Sequence, residues 1–129
     1  MIKAQKAVIK HGDKFLILKR VETEKYFPGC WDFPGGKLEE GEDPFQGIER
    51  EALEESGLII RALSPLGTYP ATENSSEIQF TIYSTEITSG RPKISKEHSE
   101  YTWATKEEIL SLELKMPYFV RFFQEHPEL

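Results

Sequence analysis

Apolar residues are dense in two short stretches near the start of the chain, "KAVI" and "FLIL", on either side of His11-Gly12-Asp13. Such runs around a Gly-Asp turn predict two strands. From Val21 to Pro34 the pattern breaks up, with Pro28, Gly29, Pro34, Gly35 and Gly36 as punctuation. A helical period then takes over. Asp43 is a good N-cap, Pro44 suits the first helical position, Gln46 stands at the third position of a capping box, and Gly57 closes the helix. Phe45, Ile48 and Ala52 are its predicted core face. "GLIIRALSPLGTYPA" and "SEIQFTIYSTEI" predict further strands, the second alternating at Ile78, Phe80 and Ile82. Tyr101 to Ala104 reads as one more short strand. Thr105, with Glu108 three residues on, caps a short helix. Pro117 opens a last helix, "PYFVRFFQEH", with Phe119, Val120 and Phe123 as its packing face. Trp31, Phe33, Tyr69, Phe80 and Tyr83 are read mainly as core, and Cys30 as a small buried or half-buried hydrophobe. Strands first, a helix in the middle and helices at the end make an α+β or layered α/β/α domain.

The polar face of the middle helix is unusual. "REALEESG" seats Glu51, Glu54 and Glu55 within one arc, because residues three and four apart share a helix face. Arg50 is spaced to pair with Glu54, but neither Glu51 nor Glu55 has a Lys or Arg three or four positions away. Like charges so placed destabilise a helix by a few tenths of a kcal/mol per pair, roughly. The bland explanation is a solvated acidic face. If repulsion dominates, removing one charge at Glu54 or Glu55 should relieve strain in the folded protein. Gly47 lies on the same arc, where glycine costs roughly 1 kcal/mol relative to alanine; it is either a tolerated imperfection or the mark of something bulky against this face.

Composition narrows the classes. The chain has 129 residues, 38% hydrophobic and 29% charged, enough for one real core and an ordinary globular protein. One domain over residues 1–129 is expected. No apolar run reaches the ~18 residues that span a bilayer, so no membrane partner is expected. A single cysteine, Cys30, excludes an internal disulfide, and together with the lack of a signal-like start this leads us to expect a cytoplasmic location. The net charge of −6 argues against binding duplex nucleic acid.

The acidic arc belongs to a longer pattern. "GKLEEGEDPFQGIEREALEESGL" fits G-x5-E-x7-R-E-U-x-E-E-x-G-U, where U is aliphatic, with Gly36, Glu42, Arg50, Glu51, Glu54, Glu55 and Gly57 all at their fixed spacing. Leu58 fits the last slot, and Ala52 is small for its own. This resembles the Nudix hydrolase signature, extended outward by "WDFPGG" just before the box. The resemblance implies a Nudix-type α/β/α sandwich with a central mixed β-sheet, and hydrolysis of a nucleoside diphosphate linked to another group. It implies Mg²⁺ or Mn²⁺ held by Glu51, Glu54 and Glu55 with the backbone of Gly35. Hard cations favour such carboxylates together with water and substrate phosphates. A further carboxylate often comes from a late loop, where Glu97 is preferred over Glu100 in "SKEHSEYTW"; it is a candidate ligand and base. His98 between them reads as incidental. Glu51, Glu54, Arg50 and Glu97 are the catalytic candidates, with Arg50 holding a neighbouring carboxylate and Glu42 structural. Arg20, its alternate Lys19, and Gly36 are the candidates for substrate binding.

The leaving group is less legible. "LILKRVETEKYFPGCWDFPGG" has the spacing of the coenzyme A subgroup, but Leu18, Val21 and Lys25 replace its Thr, Ser and Arg. ADP-ribose members often carry a proline where this chain has Asn74, and dinucleoside-polyphosphate members a tyrosine where it has Ser75 and Ser76. By elimination a MutT-like nucleoside triphosphate pyrophosphohydrolase is the default, with a small-molecule nucleotide as partner and a monomer or homodimer as the assembly. Other Nudix substrates (a nucleotide sugar, ADP-ribose, a dinucleoside polyphosphate, coenzyme A) and a nucleotide-binding sensor without turnover are the alternatives.

Overall fold

The structure is a computed structural model and describes residues 1–129. Its strands are β1 (Ile2–Val8), β2 (Lys10–His11), β3 (Lys14–Arg20), β4 (Trp31–Asp32), β5 (Gly35–Lys37), β6 (Leu58–Glu73), β7 (Ser76–Gly90) and β8 (His98–Thr105). The helices are α1 (Pro44–Ser56), α2 (Lys106–Ser111) and α3 (Phe119–Glu125). One sheet runs β5-β1-β7-β6 and is mixed, since β1 lies parallel to β7 while its other pairings are antiparallel. The second sheet is antiparallel, with β3 flanked by β2, β4 and β8. The expected mixed sheet is therefore present, with an antiparallel sheet beside it.

The two strands predicted around His11 divide between these sheets. Only Lys10–His11 folds back onto β3. The run before it stays in the mixed sheet, because Ala4 to Ile9 is buried without interruption and pairs on both edges. A strand covered on both faces reads as such a run rather than an alternation. The strand predicted at Tyr101–Ala104 is longer, starting at His98, where β3 continues to supply partners. Its cap holds: Thr105 and Glu108 form a reciprocal capping box at the start of α2.

Helix α1 starts and stops as its sequence predicts. The Asp43 carboxylate accepts from the Gln46 N–H at 3.0 Å, and Gly57 ends the helix at φ 76°. Ile48 and Ala52 are fully buried against the mixed sheet. Phe45 is not part of that face: it is 40% exposed and packs edge-to-face with Tyr83. In α3 the packing face is Phe119, Phe122 and Phe123, and Val120 points outward. These three rings surround Phe33, which follows β4, at centroid distances of 4.8 to 6.3 Å. Phe33 is thus anchored on one side of the chain segment that becomes β5 and leads to α1. No helix is long and apolar enough to cross a membrane.

Candidate functional site

The acidic arc of α1 is not a solvated face. Glu51 and Glu55 are buried, together with Gly47, while Glu54 is exposed. The bulky neighbour at Gly47 is the protein itself: an added Cβ would stand 2.8 Å from Gln5 Oε1 and 2.9 Å from Glu42 Oε1. Glu42 is needed there because it grips Arg50 with two bonds, from Nε at 2.8 Å and Nη2 at 3.0 Å. Arg50 then turns Nη1 to Glu51 at 3.0 Å and to Glu54 at 3.2 Å. This is a positioning network, and it gives Glu51 a partner at the adjacent position, which the spacing of three or four did not anticipate.

Glu55 finds its partners on another element. Ser95 Oγ donates to its Oε2 at 2.8 Å, and His98 Nδ1 lies 2.9 Å from the same oxygen. The imidazole is buried and close enough for an ion pair, though out of line for a hydrogen bond. His98, read as incidental from sequence, is therefore part of the site. Only the fold brings it in, because β8 begins where β3 ends, with His98 opposite Arg20.

The electrostatics separate the two buried acids. Burial pushes the Glu51 carboxyl up, and Arg50 only partly opposes this. Burial would raise Glu55 too, but His98 and Ser95 outweigh it and leave Glu55 below the usual range. Relief of strain thus belongs to Glu51 rather than to Glu55. Glu97 is exposed as a residue, yet its carboxyl meets the same wall. It is pushed up by partial burial, then by the charges of Glu55 and Glu24.

These groups line a cavity of about 540 Å³, within the range of small-molecule sites. Glu51, Glu54, Glu55 and Glu97 share it with Gly35, Gly36 and Arg50. Of the loop acids, Glu97 is in the lining and Glu100 is outside it, 3.8 Å from Lys19. Lys19 is outside as well, which corrects its place as the alternate to Arg20. Successive strand residues point to opposite faces, so only one of the two can enter. Arg20 does enter, already engaged: Nε donates to the Tyr26 carbonyl at 2.9 Å, and Nη2 lies 3.4 Å from Glu24.

An added side chain at either glycine would meet a neighbour, backbone at Gly35 and the end of a side chain at Gly36. A Cβ on Gly35 would collide with the Gln5 carbonyl across the β1–β5 pairing, and one on Gly36 would collide with the Glu51 carboxylate. Four carboxylates beside backbone stripped of side chains suit a hard cation. As they stand, no three acidic or imidazole groups converge on one point, since Arg50, Ser95 and His98 each draw a carboxylate aside.

The other wall was missed from sequence. Lys25 and Lys37 line the cavity, each near the Tyr26 ring, at 5.2 and 5.7 Å from its centroid, and neither has a carboxylate partner. Tyr26 and Phe27 belong to a loop tied to the β6–β7 turn. Tyr26 Oη meets Ser76 Oγ at 3.1 Å, Glu73 accepts from the Phe27 N–H at 3.2 Å, and Asn74 Nδ2 donates to the Lys25 carbonyl at 2.5 Å. Asn74 has φ 50°, a value closed to proline, so this turn has no room for the ADP-ribose marker at that position. The rest of the lining is Glu39, 3.5 Å from Arg50 Nη2, and an apolar patch (Ile2, Ala4, Ile78, Phe80 and Met116) beside a buried pair, Lys6 and Asp32.

The NUDIX domain family matches residues 3–123. A MutT-like protein of Streptomyces ambofaciens is 28% identical over 102 residues, covering 79% of this chain and 62% of that protein. The chain thus covers less than two thirds of that relative's length. Nucleoside triphosphatase NudI of Escherichia coli O17:K52:H18 is 27% identical over 120 residues, covering 84% of this chain and 85% of that one. The solved structure of a MutT protein from Methanosarcina mazei Go1 superposes with a TM-score of 0.90 at 30% identity, covering 98% of this chain and 93% of the other. The chain belongs to the Nudix hydrolase family.

Proposed function

We propose that this Nudix hydrolase cleaves the diphosphate linkage of a nucleoside triphosphate, giving a nucleoside monophosphate and pyrophosphate. One observation carries this reading: carboxylates of the box and of the late loop, Glu51, Glu54, Glu55 and Glu97 among them, share a cavity with two unpaired lysines and an apolar patch. The relatives named a nucleoside triphosphatase and an 8-oxo-dGTP diphosphatase support the same substrate class. Residues 1–129 act as one domain, since both sheets contribute walls to this one cavity.

Glu51, Glu54, Glu55 and Glu97, with the backbone of Gly35, would hold Mg²⁺ or Mn²⁺. When bound, the ion supplies charge for the phosphoryl oxygens and makes a coordinated water more acidic. Arg50 keeps Glu51 and Glu54 turned toward the cavity, and Glu42 keeps Arg50 in place. Ser95 and His98 fix Oε2 of Glu55 and leave Oε1 free to point elsewhere. Gly36 gives the Glu51 carboxylate its room. Lys25, Lys37 and Arg20 offer charge to the phosphates; Arg20 does so while sharing Glu24 and Asp32. Glu97 takes the proton of the attacking water, because a carboxyl raised by burial is a better base near neutral pH than an ordinary one. The P–O bond to the pyrophosphate then breaks.

A hydrolysis panel with Mg²⁺, its products made visible as phosphate by added pyrophosphatase and phosphatase, tests the reading. It should cover nucleoside triphosphates, nucleotide sugars, ADP-ribose, dinucleoside polyphosphates and coenzyme A. Turnover should be highest on a nucleoside triphosphate. Preference for ADP-ribose or coenzyme A would overturn the substrate class while keeping the chemistry.

A further inference from the structure

The floor of the cavity holds an ion pair that the hydrolytic chemistry does not use. Lys6 is 3% exposed and Asp32 fully buried, and Lys6 Nζ donates to Asp32 Oδ2 at 2.6 Å. The other carboxylate oxygen of Asp32 accepts from the Tyr118 hydroxyl, itself buried under α3. Both Lys6 and Asp32 reach the cavity.

Their surroundings are apolar. Ile2, Ala4 and Lys6 lie on one face of β1 by alternation, beside Ile78 and Phe80 of β7. The Lys6 ammonium stands 5.9 Å from the Phe80 ring centroid, and Met116 closes the same end. A buried ion pair of this kind is poor value for stability, since well-packed apolar residues in its place are often neutral or better. Its use must be sought in what enters the cavity.

The free hydrogen-bonding capacity is specific. An ammonium has three N–H donors, and Asp32 is the one polar partner of Lys6, so two donors are open. Asp32 itself is fully buried, with its oxygens taken by Lys6 and Tyr118, and serves to hold the ammonium in place. Charge decides what the open donors fit. Asp32 balances Lys6, and Arg20, 3.8 Å from Asp32, is balanced in turn by Glu24. The Lys6–Asp32 pair is therefore neutral as a unit and offers less to an anion than the open lysines Lys25 and Lys37, while the ammonium keeps donors free. A flat heterocycle lying on the apolar residues would present ring carbonyl and ring nitrogen groups to those donors.

We propose that Lys6, held by Asp32, is the specificity-determining residue that reads the polar edge of the nucleobase. This rests on the nucleotide reading above. Phosphate at Lys6 is the competing ligand, and the test separates the two.

Inhibition constants for a nucleoside monophosphate and for ribose 5-phosphate are measured on the wild-type protein and on Lys6→Met. Their ratio is the contribution of the base. In Lys6→Met that ratio should fall roughly ten- to hundredfold, the loss expected when a buried hydrogen bond to a charged donor disappears. Ribose 5-phosphate should bind as before, and the spread of kcat/KM among triphosphates with different bases should narrow. Because Lys6→Met leaves Asp32 buried without its cation, Lys6→Met with Asp32→Asn is measured alongside, with thermal melts of both. The double variant should keep the melting temperature and still lose base discrimination. Equal loss for both inhibitors would assign Lys6 to phosphate and overturn the proposal. An unchanged ratio in a folded variant would overturn it too. A wild-type protein that neither turns over nor binds any nucleotide would remove the functional reading, and this one with it.

Discussion

At the scale of single residues, three carboxylates of one site behave in three ways, and each difference can be measured. Burial holds Glu51 above its unfolded value. Such a group contributes stability below the unfolded pKa and loses it as pH rises through the folded one. In metal-free protein, Glu51→Gln should therefore melt at or above wild type at pH 7, with the gap closing toward pH 4. Glu55 is held low by His98 and Ser95 against its burial, so its sign is opposite. Its contribution is present above the unfolded pKa and lost as pH falls. Glu55→Gln should cost about 1 kcal/mol at pH 7 and little in acid. Melts across this range check both, and a Glu55→Gln protein more stable than wild type at pH 7 would refute the assigned role of His98. Glu97 is tested by turnover. Glu97→Gln should slow it roughly 100-fold, the scale of general-base help, with KM little changed. Glu100→Gln should be mild, because Glu100 faces Lys19 outside the cavity. Wild-type turnover should fall on the acid side, since Glu97 must be ionised to accept a proton.

At the scale of elements, β5 and α1 meet so closely that glycine leaves the Glu51 carboxylate its place. Gly36 faces the Glu51 carboxylate, and any Cβ there would displace it. The displaced group is the end of a flexible side chain, so Gly36→Ala should fold and melt within a few degrees of wild type. Turnover should nevertheless drop roughly 10- to 100-fold, as a misplaced catalytic group costs. Normal turnover in Gly36→Ala would show that Glu51 need not sit where Arg50 holds it. Elements of this kind were legible from sequence wherever the signal is local. The Asp43 cap, the αL stop at Gly57 and the Thr105–Glu108 box all depend on residues within four positions. The box glutamates were legible for the same reason. Phe45 and Val120 were misread because helical period marks an apolar stripe without saying where the sheet ends. His98, Ser95, Lys37 and the Lys6–Asp32 pair were illegible, since their partners lie across strand pairings far away in sequence.

At the scale of the whole molecule, the site joins two layers that are already tied by polar contacts such as Lys6–Asp32, Tyr26–Ser76 and Ser95–Glu55. Glu51, Glu54 and Glu55 come from α1, which packs on the mixed sheet, while Glu97 comes from the loop entering β8 of the antiparallel sheet. A divalent ion bound by both would close a cross-link between them and would neutralise a wall that is acidic within a chain of net charge −6. Both effects exist only in the folded state, so binding must stabilise folding by mass action. At a hundredfold excess over Kd this amounts to about 2.7 kcal/mol, or about 10 °C for a chain of this size. Chelator-treated protein should therefore melt about 10 °C below protein in saturating Mg²⁺ or Mn²⁺, and turnover should vanish and return with the ion. Glu54→Gln should shrink the shift through α1, and Glu97→Gln through the β8 loop. Loss of the shift in Glu54→Gln with full retention in Glu97→Gln would confine the ion to the helix and leave Glu97 as base alone. Equal melting temperatures with and without either ion, together with turnover in chelator, would remove the metal from this site and leave the acidic wall to the protein's own cations.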